Sequence, residues 1–134
     1  MTQDKIKAFE WLLKSAQKGN TSGMFIVGCC FDKGEGVEQD ITKAFEWYLK
    51  SAQNGNAKAM LYVGVCFDYG RGVTQDKTKA FEWFLKSAQN GHVESMKEVG
   101  CCLCRGTGVP RDLEKAREWF AKASMNEEQN QKKQ

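Results

Sequence analysis

Polar and apolar residues recur at helical spacing along most of the chain. In DITKAFEWYLKSAQNG (residues 40–55), Ala44, Trp47, Tyr48, Ser51 and Ala52 share one face, while Glu46 and Lys50 point away and pair at i,i+4. Asp40 can accept from the free N–H groups of the first turn, and Gly55 suits the left-handed position past the helix end. The spacing predicts a helix, termed helix B. Asn56 stands at the start of a second, helix A, which covers AKAMLYVGVCFDY (57–69) and stops at Gly70. So short a connection makes the two antiparallel. The GRGVTQ segment that follows is a glycine-rich loop leading back to another helix B.

The pattern is periodic. At a spacing of 36 the chain aligns with itself without a gap: Ala8, Ala44, Ala80 and Ala116 fall in one column, Trp11, Trp47, Trp83 and Trp119 in another. Gly28, Gly64 and Gly100 recur, as do Gly36, Gly72 and Gly108, and Asp4, Asp40, Asp76 and Asp112. A period of this length means stacked helix pairs that bury their apolar faces on each other. The expected fold is all-α, an α/α superhelix (solenoid) of antiparallel helix pairs with about seven helices. Its array covers 1–125, as a half repeat (1–19) and repeats 20–55, 56–91 and 92–125. The tail 126–134 has no apolar residue and is expected to be disordered.

Both ends are helix B. Phe9, Phe45 and Phe81 recur on the flank that can meet a neighbouring repeat, as do Leu13, Leu49 and Leu85; in the last helix B those positions are Arg117 and Ala121. A polar outer flank suits the end of a solenoid. At the front, Ile6, Phe9 and Leu13 have no evident cover, so the chain is either a fragment of a longer array or packs on a partner through that uncapped N-terminal edge.

Composition narrows the function. The 20 basic and 17 acidic residues are dispersed, with no basic block of the kind that phosphate binding needs, so nucleic acid is not an expected partner. No apolar run approaches the length of a membrane span, and the N-terminal MTQDKIKAFEW has no signal-peptide core. The expected location is cytoplasmic, with six cysteines held as thiols.

These residues carry a family resemblance. Val63, Gly64, Phe67, Gly70, Gly72, Val73, Asp76, Lys79, Ala80, Trp83, Lys86, Ala88 and Gly91 match the pattern of the Sel1-like repeat, and residues 4–124 resemble that family throughout. The resemblance implies a right-handed superhelix related to tetratricopeptide arrays, serving as an adaptor or scaffold. One cysteine-rich, exported branch joins the helices of each repeat by disulfides. Its cysteine positions are here Ala16, Ala52, Ala88, Met24, Met60 and Met96, so neither those bridges nor the penicillin binding attributed to that branch carries over.

Comparing repeats shows where they differ. Residues 40–55 and 76–91 agree at 14 of 16 positions, whereas 56–75 and 92–111 agree at 7 of 20, so helix A is the variable element. On a helical wheel its recurrent residues form one arc and its variable residues the opposite one. By analogy with tetratricopeptide arrays, that variable arc lines a concave groove. The candidate partner-binding residues are Phe25, Ile26 and Cys29 in the first unit, and Lys58, Leu61, Tyr62, Val65 and Tyr69 in the second. The third contributes Glu94, Lys97, Glu98, Cys101, Cys104 and Arg105. Apolar anchors beside a charged cluster suit a protein or peptide partner. Phe25 and Leu61 have a competing role, packing helix A on the next helix A.

Catalytic chemistry is not expected. The one histidine, His92, stands where Asn20 and Asn56 stand and reads as a variant helix cap, too far along the helix from Cys101 or Cys104 for a catalytic pair. The tryptophans fall in the core register of helix B, which argues against a base or sugar platform. Cys30, Cys66 and Cys102 form a column of small core thiols. Cys101 and Cys104, one turn apart, offer two thiolate ligands or a redox pair, but no further ligands for a closed metal site are evident. No cofactor or metal is expected. The expected function is a non-enzymatic interaction scaffold, with a thiol-based redox or metal role for Cys101 and Cys104 as the alternative.

Overall fold

The computed structural model describes residues 2–133; Met1 and Gln134, the ends of the first half repeat and of the tail, lie outside the described residues. Within them the chain forms seven helices and no strand. These are α1 (Gln3–Gln17), α2 (Thr21–Lys33), α3 (Ile41–Gln53), α4 (Ala57–Tyr69), α5 (Lys77–Gln89), α6 (Val93–Arg105) and α7 (Leu113–Lys132). Helices B are α1, α3, α5 and α7, and helices A are α2, α4 and α6. Consecutive helices pack on one another, each helix A most extensively on the helix B that follows it.

Local chemistry sets the boundaries. The carboxylates of Asp40, Asp76 and Asp112 each accept from the backbone N–H three residues on, at 3.0 Å. Asp4 does not share that role, because α1 starts earlier and is capped by Thr2. Asn20 and Asn56 cap α2 and α4 by accepting from Gly23 and Ala59 at 2.8 and 2.9 Å. His92 occupies the equivalent N-cap of α6 but makes no side-chain cap bond, and its Nε2 is buried without a partner. Its backbone is a cap; its imidazole is not. Burial holds the His92 pKa below the ordinary histidine value, outweighing the opposite pull of Glu94. The neutral form is therefore favoured in the fold, and as pH falls through about 6.5 the unfolded chain takes up the proton first, costing stability. His92→Asn is expected to raise stability by about 1 kcal/mol at neutral pH and to flatten the loss of melting temperature between neutral and mildly acidic buffer. Thermal melts of the two proteins side by side check both.

The core runs through the stack as repeated columns. Val27, Val63 and Val99 are each fully buried, with Ala16, Ala52 and Ala88 nearly so. Gly28, Gly64 and Gly100 admit the rings of the following helix B: an added Cβ would lie 2.6 Å from Tyr48, 2.5 Å from Phe84 and 2.8 Å from Phe120. The missing side chain lets the two helices close on each other. Ser51 and Ser87, fully buried, donate to the carbonyls of Thr21 and Ala57 at 2.8 and 2.6 Å, so no hydroxyl is left unpaired. Between units, Phe9 meets Phe31 and Phe45 meets Phe67 edge-on at 5.4 and 5.5 Å.

Four expectations are corrected here. Phe9 is buried against Phe31 and Leu13 packs on the core, so the N-terminal edge is covered more fully than its sequence suggests; Trp11 remains exposed there. The tryptophans lie on the rim of helix B and not in the core. Trp47, Trp83 and Trp119 are half-buried, and Lys50, Lys86 and Lys122 extend over their rings at 4.4, 4.5 and 4.6 Å. Lys50 thus covers Trp47, and among the described residues it forms no ion pair with Glu46. Finally, the polar tail is helical: α7 continues to Lys132. In α3 and α5 the helix ends because Gly55 and Gly91 take φ of 96° and 88°. The equivalent residue in α7 is Glu127, a good helix former, so nothing stops the helix there. Asn126 donates to the Lys122 carbonyl at 2.7 Å, as Asn54 and Asn90 do to Lys50 and Lys86, and the chain runs on.

Candidate functional site

The variable positions of α4 and α6 converge on a depression of about 500 Å³ lined by Leu61, Tyr62, Val65, Glu94, Lys97 and Glu98. Its α4 side is apolar and its α6 side charged. Leu61 is only 6% exposed, so it forms floor and not a projecting anchor. The aromatic Tyr62 is half-buried and packs edge-on to Phe25 (4.9 Å) and to Tyr48 (5.2 Å). Lys58 extends over the Phe25 ring at 5.5 Å. Phe25 therefore serves mainly to join α2 to α4, whereas its neighbour Ile26 is exposed.

A second, smaller hollow of about 180 Å³ adjoins the first through Glu98 and is lined further by Tyr69, Cys101, Cys102 and Arg105. Tyr69 is 73% exposed, with Lys77 over its ring and bonded at 2.7 Å to Asp68. Cys104 is half-buried against the core and lines neither hollow. In the first unit Cys29 lies beside the Tyr48 hydroxyl, which donates to Asp32 at 3.0 Å; Asp32 also pairs with Arg71. Burial raises the Tyr48 pKa far above the ordinary tyrosine value, so the phenol stays protonated.

Two polar contacts at the site are not evident from repeat comparison. Tyr48 belongs to helix B, where the equivalent residues are Phe84 and Phe120, and its hydroxyl reaches Asp32 of the preceding helix A. Glu127, in the tail, forms an ion pair with Lys97. The signal for the latter is the glycine missing from the column of Gly55 and Gly91.

Four of the six thiols are poorly suited to redox chemistry. Burial raises the pKa of Cys29 and Cys30 and pushes Cys66 and Cys102 up to about 11, the opposite of what a reactive thiolate needs. All six cysteines are free, and among the described residues no cluster of three or more His, Cys, Asp or Glu could hold a metal. No helix among them is long and apolar enough to cross a membrane.

Seven antiparallel helices with a 36-residue register and glycine-set contacts define an α/α repeat solenoid. The Sel1 repeat model matches residues 1–20, 21–56, 57–92 and 93–127. The chain belongs to the Sel1 repeat family. Among solved structures it is similar to a protective antigen of uropathogenic Escherichia coli displaying an SLR fold, with TM-score 0.88 and 35% identity over 93% of this chain and 27% of that one. It is also similar to a Sel1 repeat protein from Oxalobacter formigenes, with TM-score 0.85 and 28% identity over 90% of this chain and 49% of that one. The chain thus spans about a quarter and about half of these two proteins. Helicobacter pylori cysteine rich protein B, at 23% identity, 71% and 70% coverage and TM-score 0.65, shares the fold. Among curated protein sequences none gives a significant match. Proteins built of Sel1 repeats are generally protein-interaction scaffolds.

Proposed function

We propose that this chain is a non-enzymatic interaction scaffold whose helix A face, concave in arrays of this kind, binds a protein or peptide partner. The observation that carries the reading is the depression between α4 and α6: all six residues lining it are ones at which the repeats differ. A constant helix B framework holds those positions while their side chains change from unit to unit. The free thiols suit a reducing compartment such as the cytoplasm. A photo-crosslinking residue placed at Val65, compared with one at exposed Glu82 on α5, tests the face in the cell of origin. Protein adducts are expected from Val65 and lost when Tyr62→Ala is added. Adducts formed equally from both sites would rule the helix A face out.

A further inference from the structure

The two walls of the α4–α6 depression differ in a way that specifies what fits between them. On the α4 side, Leu61, Tyr62 and Val65 offer a surface for one bulky apolar side chain. On the α6 side stand Glu94 and Glu98, one turn apart and therefore on the same face, both exposed. The cation between them in sequence, Lys97, offsets this wall only in part: its ammonium pairs directly with Glu127 from the extension of α7 and interacts with Glu94 at longer range. Among the described residues neither Glu94 nor Glu98 has an ion-pair partner.

Other charges are placed apart. Arg105 lies seven residues beyond Glu98, about 10 Å along the helix, and lines the adjoining hollow. Lys58 is turned to Phe25, and Lys77 is taken by Asp68. Glu98 has a raised pKa, from partial burial and then from the like charge of Asp68, against a smaller opposing effect of Arg105. A cation from outside would relieve that repulsion.

From this charge arrangement we infer that the groove selects an apolar-plus-basic peptide segment, a bulky apolar residue on Leu61, Tyr62 and Val65 with a neighbouring Lys or Arg between Glu94 and Glu98. The inference rests on the groove reading above and names the chemistry of its partner. Arginine fits best, since its planar fork can address both carboxylates.

A random-peptide phage library panned on the full chain, with depletion on a Tyr62→Ala/Val65→Asp variant, tests it. The enriched peptides are expected to carry a bulky apolar residue within a few positions of Lys or Arg. A synthetic peptide of the enriched sequence is expected to lose about tenfold in affinity against Glu94→Gln/Glu98→Gln and to weaken with added salt. Both glutamates are exposed, and circular dichroism verifies that the double variant keeps its fold. Groove-dependent peptides with acidic or uncharged flanks, or undiminished binding to the glutamine variant, would overturn the basic-partner inference and leave the groove reading standing. Peptides that bind the depleted variant equally well, or no enrichment, would overturn both.

Discussion

Replacing Gly72 by alanine is expected to cost about 3 kcal/mol or more, as two penalties combined. Its φ of 75° lies in the left-handed region, where a Cβ alone costs about 1–2 kcal/mol. The added atom would also lie 2.6 Å from the Ile41 carbonyl oxygen at the start of α3, so the loop between α4 and α5 must retreat from the preceding unit. Overpacking of that kind adds about 1–3 kcal/mol. Gly55 separates the two terms, because its φ of 96° is equally left-handed but nothing lies within 4 Å of its would-be Cβ. Gly55→Ala is expected to show the conformational penalty alone. Urea unfolding of the two variants decides the matter, and equal losses would remove the steric contact from the account. The distinction matters for a solenoid, since Gly72 tightens the joint between units whereas Gly55 only turns the chain.

The second large effect is expected at Phe84. Its side chain, 1% exposed, fills the space that Gly64 leaves open. Phe84→Ala removes the ring and leaves a cavity between α4 and α5 that cannot close without moving both helices, at a cost of about 3–5 kcal/mol. Phe84→Tyr should recover nearly all of it, because the equivalent residue in the preceding unit is Tyr48, whose hydroxyl finds a carboxylate at the position corresponding to Asp68. Chemical denaturation of the pair measures this. A loss below about 1 kcal/mol for the alanine variant would mean that the site collapses freely.

Helix ends were legible in the sequence wherever one residue decides them. Asn56, Gly70 and Asp76 act on backbone groups within a few residues of themselves, so their meaning does not depend on the rest of the fold. The path of α7 depended on something less visible, the absence of glycine at residue 127 from a segment whose composition alone suggests disorder. The tryptophans failed for another reason. Trp47 and Tyr48 stand about 100° apart on a helical wheel, at either side of one broad apolar arc, and periodicity cannot tell which one faces the core and which lies at its rim. The structure buries Tyr48 against α2 and turns Trp47 outward under Lys50. At the candidate site, repeat comparison brought out the α4 and α6 residues that line the depression. It could not show that Leu61 lies beneath the surface, or that Phe25 is occupied by Tyr48 and Tyr62. Those outcomes depend on how far neighbouring helices approach, a distance that spacing along one helix does not encode.

The placement of the indoles gives the array an optical readout of its own. Each helix B carries one tryptophan at the same register, and three of the four are half-buried with a lysine overhead. Fluorescence from this chain is thus a sum of four local signals, with Trp11 contributing little change because it is already 73% exposed. Variants that keep a single tryptophan at 47, 83 or 119 would report the loosening of one unit at a time, so fraying from an end could be told apart from melting of the whole stack.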